Sequence, residues 1–342
     1  MHSIKRILYF LVMLSLSSYG QWQKQHHMLM NAGYEKVYTS INEALMFPDK
    51  VVILDLSGKK LTKIPDEIFQ LKNLKELYLG SIQGIDFIIV NNIRELPKGL
   101  FQLKKLEILD LDSNDIKYIP PEIKSLTNLK ILNLRGNPVK KLPPEIKYLK
   151  RLEILDIGFT KIKELPEEFG ELKSLKRLHI DRTKIKHFPA STTKLLNLEY
   201  VKLFGTDDKL NLEETIDLLS ALPKFREISM PVLSEIPENI INLKALEILS
   251  IVQHNFKDLK KPFITISKIK SLKFLRLYDY GSDIVIPPEI GLLTQLEHIE
   301  LDFSGGISLP KEISHLKNLK QFGFSECVRS GIEYLNKNCE IY

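Results

Sequence analysis

The chain has 342 residues, 44% of them hydrophobic and 27% charged, with 2 cysteines. This is the composition of an ordinary soluble protein, and two cysteines cannot frame a disulfide scaffold. The formal net charge is +6, but the lysines are spread along the whole length and form no single block, which argues against a nucleic-acid binder.

Residues 1–20 open with His2, Lys5 and Arg6, continue with an apolar run from Ile7 to Leu16, and end in Ser17, Ser18, Tyr19 and Gly20. That order is the layout of a signal peptide. The apolar run is shorter than the roughly 20 residues a membrane-spanning helix needs, and no later stretch is long enough. The competing reading is a buried N-terminal helix. The residue directly after Gly20 is Gln21, not cysteine, which argues against a lipoprotein signal. Residues 21–47 form a polar leader and then a cap. His26 and His27 could bind a metal, but two ligands without a third make a weak site, so they are assigned to the leader. Val37, Ile41, Ala44 and Leu45 have helical spacing and end at Pro48-Asp49, which predicts a helix over 34–47 covering the first repeat.

From 48 to 324 the sequence repeats. Leu126, Leu129, Leu132, Leu134, Asn137, Leu142, Pro143 and Ile146 return 23 residues later as Leu149, Leu152, Leu155, Ile157, Thr160, Leu165, Pro166 and Phe169. About twelve such units fit. Leu132 and Leu134 alternate with Ile131, Asn133 and Arg135, the period of a strand with leucines inward. Asn137 can satisfy main-chain groups at the turn. Pro143-Pro144-Glu145 opens a short helical turn that Ile146 and Leu149 bury. Stacked, these units make an α/β solenoid: a concave parallel β-sheet, about 50 Å along its arc at the usual ~4.8 Å strand spacing, with short helices on the convex side.

The pattern L-x-x-L-x-L-x-x-N at a fixed period resembles the leucine-rich repeat family. The Leu-Pro-Pro-Glu-Ile half, as at 142–146, is similar to the subclass of Ras-pathway scaffolds and plant intracellular repeat proteins. The resemblance implies a horseshoe fold and a protein-binding role. The signal peptide argues against the cytosolic setting of that subclass, so no Ras partner is carried over.

The asparagine at the turn holds at Asn114 and Asn137, and Thr160, Thr183 and Thr206 replace it. Ile82, Leu233, His254 and Tyr280 break the series, so their turns should differ. Insertions at 80–92, 204–222 and 252–268 lengthen three repeats and are candidates for function. No P-loop, dinucleotide, zinc-protease, C-x-x-C or nucleophile-elbow motif occurs, so no enzyme, cofactor or metal site is expected. Asp110 and Asp112 share a strand face, but Asp110 and Asp156 lie two repeats apart in one slot, which reads as repeat-encoded rather than catalytic.

The expected function is an exported, monomeric, non-enzymatic module holding a protein or peptide on its concave face. A structural or adhesive surface protein is the alternative. Strand alternation sends Tyr200, Lys202 and Phe204, then Phe274, Arg276 and Tyr278, then His298 outward, with Arg177 and His179 between the two halves. Aromatics and arginine dominate interface hot spots, so these residues form the expected binding site, weighted towards the C-terminal half. Residues 325–342 are read as a C-terminal cap. There a Cys327–Cys339 disulfide is expected, worth on the order of 3 kcal/mol, with Ile332 and Leu335 covering the last strand. Two unpaired thiols are the competing reading.

Overall fold

The computed structural model describes residues 36–83, 88–205, 210–230, 236–253, 258–279, 283–324 and 328–341. The reading of residues 1–20 and the His26-His27 pair therefore lie outside the described residues.

Each repeat contributes a short strand whose alternate side chains face the core. Leu132 and Leu134 of the Ile131–Asn133 strand and its extension are buried, as are Leu155 and Ile157 one repeat later. The repeat strands pair in parallel with their neighbours, giving a 14-stranded sheet in sequence order. Its two outer strands, Val37–Tyr38 and Glu340–Ile341, come from the capping segments. Sequential parallel strands with short 3-10 turns between them make a solenoid, in keeping with the horseshoe expected from the repeat pattern.

The convex side is built mostly from five-residue 3-10 turns such as Pro121–Ser125 and Pro144–Tyr148. Proline at the first position lacks only an N–H that would be unpaired there anyway. Ile123 and Ile146 bury the turn. Two insertions swell this side: the helices Leu212–Ser220 and Lys260–Ile266 stand in place of the 3-10 turn. Ile216 and Leu219 of the first and Phe263 of the second are fully buried. Both helices are core packing on the convex side. Residues 80–92 instead form a hairpin, Ile82–Gln83 with Ile88–Ile89, whose Ile82 side chain fills the space above Gly58.

The N-terminal cap differs from the expected helix over 34–47. Val37–Tyr38 pairs with Ile53–Leu54 as a strand, and the helix spans only Ile41–Met46. Burying Tyr38 against the first sheet edge and satisfying that edge's backbone outweighs helical spacing. At the other end Glu340–Ile341 pairs with Gln321–Phe322. Leu335 is buried there, while Ile332 remains 37% exposed, so only the leucine covers the core. Cys339 is half-buried, and burial, then Glu340, pushes its thiol up. Cys327 lies outside the described residues. A second sheet, Ile284–Val285, Ile307–Ser308 and Val328–Ser330, adds parallel pairing in the last repeats.

Candidate functional site

Strand register arranges the outward side chains of the concave face in lanes. One lane runs Ile108, Ile131, Ile154, Arg177, Tyr200, Glu227, Ile248, Phe274, His298. The next runs Asp110, Asn133, Asp156, His179, Lys202, Ser229, Ser250, Arg276, Glu300.

In the N-terminal half the second lane is structural. Asp55, Asp110, Asn133 and Asp156 each accept the backbone N–H two residues on, at 2.8–3.0 Å. An Asx side chain closing the turn where a strand ends is local chemistry. Of the two aspartates on one strand face, Asp110 closes this turn and Asp112 accepts from Ser81 Oγ at 2.6 Å. Burial raises the Asp112 carboxyl, against the lowering effect of Ser81 and Ser113.

At His179 this pattern stops. His179 is 4% exposed and its Nδ1 meets Asp156 Oδ2 at 3.1 Å. Because an ionised carboxylate only accepts, Nδ1 carries the proton in the neutral ring. Burial lowers the imidazole, and Asp156 only partly restores it. For Asp156, burial opposes ionisation, but Arg135, His179 and the Gly158 N–H outweigh it and hold the carboxyl far below the usual range. Arg135 reaches across a whole repeat to Asp181, with Nη1–Oδ1 at 3.0 Å and Nη2–Oδ2 at 2.7 Å.

Arg177 is 6% exposed and stacks on the Tyr200 ring, 4.1 Å from its centroid. Its Nη1 meets Glu227 at 3.4 Å, while Nε and Nη2 find no acceptor. Tyr200 is 6% exposed, and burial pushes its hydroxyl well up. It also meets His179 edge-on. The structure thus joins Arg177, His179 and Tyr200 into one buried cluster, with Lys202 and Phe204 half-exposed beside it. The C-terminal group is separate. Arg276 Nε donates to Glu300 at 2.6 Å, Phe274 packs on His298 at 5.4 Å, and His298 meets Gln321 at 3.0 Å. Phe274, Arg276, Tyr278 and His298 are all half-buried.

Three features escaped sequence reasoning. Asn91, inside the 80–92 insertion, takes the turn position expected to be lost at Ile82. Its amide donates to Leu56 O and Leu79 O, and its oxygen accepts from Leu61 N. Asn137 does the same for Leu111 O, Leu134 O and Ile116 N. Thr160 and Thr183 keep one of those bonds, to Ile157 O and Ile180 O. Thr206, Leu233, His254 and Tyr280 lie outside the described residues. A second ladder runs along the other turn, where Asn73, Asn128, Asn197 and Asn318 donate to carbonyls one repeat back. Cross-repeat pairs also engage many of the excess cations: Lys130–Glu107, Lys176–Glu153, Arg226–Glu199, Lys273–Glu247 and Lys320–Glu297.

The third feature is a series of left-handed residues at one turn position. Ser113, Gly136, Phe159, Arg182 and Gly205 follow each other at one-repeat intervals, with φ of 53°, 69°, 55°, 54° and 61°. Phe159 is 44% exposed. Arg135 stacks on its ring at 4.3 Å, and Arg182 lies between Phe159 and Phe204 at 5.1 and 5.3 Å.

Comparisons with known proteins agree with this geometry. The family described as "Leucine-rich repeat region" matches residues 121–232, and "Leucine rich repeat" matches 90–139. The human volume-regulated anion channel subunit LRRC8B is 32% identical over 103 residues, 30% of this chain. The match spans only 12% of that protein's length. Among solved structures, a leucine-rich repeat protein of Leptospira interrogans aligns over 90% of this chain and 100% of its own, at 24% identity and a TM-score of 0.51. The ectodomain of the Arabidopsis receptor kinase HAESA, in complex with a peptide hormone ligand, covers 82% of this chain and 46% of its own, at 21% identity and a TM-score of 0.54. With its periodic leucines, sequential parallel sheet and asparagine ladder, this chain is a leucine-rich repeat protein.

Proposed function

We propose that the chain is exported and acts as a monomeric, non-enzymatic module that holds a protein or peptide on its concave face. One observation carries this reading: from Arg177 onward the first concave lane exchanges isoleucine for Arg177, Tyr200 and Phe274, and the second exchanges turn-forming Asp and Asn for His179, Lys202 and Arg276. These are the residue types that anchor interfaces. HAESA holds a peptide hormone, and that likeness reaches the fold alone. The charged start, apolar run and small residues of 1–20 support export. Among the described residues no helix is long and apolar enough to cross a membrane. Among the described residues, cross-repeat ion pairs engage many of the lysines and arginines, which favours a protein or peptide over a nucleic-acid backbone that needs a row of free cations.

Cross-linking on intact cells followed by purification tests this reading. The expected outcome is one stoichiometric protein partner, lost or weakened about tenfold in a Phe204→Ala/Tyr278→Ala chain that still unfolds cooperatively. Weakening of less than about twofold would reject the concave face. Loss of cell attachment on deletion, with no partner captured, would instead favour a structural or adhesive role. N-terminal sequencing should read from Gln21, and Met1 retained on cytoplasmic protein would reject export.

A further inference from the structure

Left-handed backbone costs a residue with a side chain about 1–2 kcal/mol; the repeats directly flanking Phe159 and Arg182 use glycine there, and Ser113 takes the same turn one repeat before Gly136. Two consecutive repeats instead place a phenylalanine and an arginine. Gly205 makes room for the arginine, because a Cβ at 205 would lie 2.9 Å from Arg182 Cγ. What sets these two repeats apart is that the left-handed turn holds an exposed aromatic and a cation side by side at one rim of the concave face, which asks for a function.

The charges beside it are unbalanced. Asp181 is taken up by Arg135, and Asp156 by Arg135, His179 and the Gly158 N–H. Among the described residues neither Arg182 nor Lys202 meets a carboxylate. Arg177, one strand position further, is nine-tenths buried with two nitrogens lacking an acceptor. Strand and repeat spacing place the Lys202 and Arg182 backbones on the order of 10 Å apart, so both side chains can converge on one anion. The rings of Phe159 and Phe204 flank it.

We propose that this rim binds an extended segment of a partner protein through an acidic side chain seated between Arg182 and Lys202, with an adjacent apolar side chain against Phe159 and Phe204. The inference rests on the concave-face reading and narrows it to the middle of the array and to an acidic ligand. Charge complementarity selects the occupant. Two free cations match one carboxylate, whereas a nucleic-acid backbone needs a row of them.

The test is selection from a displayed library of random decapeptides on the whole chain. Titration of the selected peptides against variants follows, with a single-stranded oligothymidine as a second probe. Expected are peptides enriched in Asp or Glu beside an aromatic or aliphatic residue. Arg182→Ala and Lys202→Ala should each weaken them about tenfold or more, and added salt should do the same. Lys202→Arg should retain binding and Lys184→Ala should leave it unchanged. Selection of basic or uncharged peptides, selection of none, or tighter binding of the oligonucleotide through Lys202 would overturn the proposal. Peptides weakened by Phe274→Ala but not by Lys202→Ala would also overturn it while leaving the concave face as the binding surface. Loss of peptide binding in none of these variants would reject both.

Discussion

Arg135 and Asp181 form a two-pronged ion pair across an intervening repeat, 46 residues apart in sequence. The residue between them in register is Gly158, and a Cβ there would lie 2.5 Å from Arg135 Nη1 and 2.8 Å from Asp181 Oδ1. The glycine is therefore required by the pair it separates. Arg135 is 19% and Asp181 1% exposed in its side chain, so removing one partner strands a buried charge. Asp181→Ala should destabilise by about 3 kcal/mol, and Gly158→Ala by about 2 kcal/mol through the clash. Urea unfolding checks both, and a double-mutant cycle with Arg135→Ala should show coupling above about 1 kcal/mol.

The asparagine ladder predicts a ranking. Asn91→Ala leaves Leu56 O and Leu61 N–H without a partner, and Asn137→Ala leaves Leu134 O and Ile116 N–H, while Asn114 still donates to Leu79 O and Leu111 O. Each should destabilise by about 2–3 kcal/mol. Asn137→Thr should lose less, because Thr160 and Thr183 already serve that turn. If Asn91→Ala is as mild as a surface change, within about 0.5 kcal/mol, Asn91 is no ladder residue.

His179 gives the chain a pH dependence with a definite sign. Its folded pKa is lowered by burial, so on acidification the unfolded chain takes the proton first. Stability is flat above about pH 6.5, the ordinary imidazole value, and falls as pH drops below it. Asp156 has the same sign in a lower window. Its depressed folded pKa contributes stability above about pH 4 that is lost as pH falls further. Unfolding curves between pH 5 and 8 should show the first decline in the native chain and not in His179→Asn.

Relief of backbone strain separates stability from function. Arg182→Gly should stabilise the fold by about 0.5–1 kcal/mol. Gly136→Ala should destabilise by about 1 kcal/mol or more, since φ is 69° and a Cβ would meet Ser113 at 3.1–3.3 Å. Thermal unfolding of the two variants checks the opposite signs.

Cys327 and Cys339 are proposed to close the C-terminal cap once the chain is exported. Alkylation of the native protein without reductant should leave its mass unchanged. Two added alkyl groups would show two thiols instead.

How much of this was legible in the sequence follows from distance along the chain. The 23-residue period, the buried leucines, the proline-led convex turns and the outward direction of Arg177, Tyr200 and Lys202 are all set within one repeat. A repeat's local pattern decides which side each residue faces, because strand alternation and turn chemistry act over a few residues. Stacking decided the rest. It placed Asn91 in the turn that Ile82 breaks, because the hairpin's ends lie close enough for the ladder to resume. It buried Arg177, His179 and Tyr200, which alternation alone sends outward, because neighbouring repeats only one strand apart shield each other's side chains. It also paired Arg135 with Asp181 over Gly158, and set Arg182 between Phe159 and Phe204. Those contacts join residues in different repeats, so no single repeat's sequence encodes them, and only the parallel register brings them together.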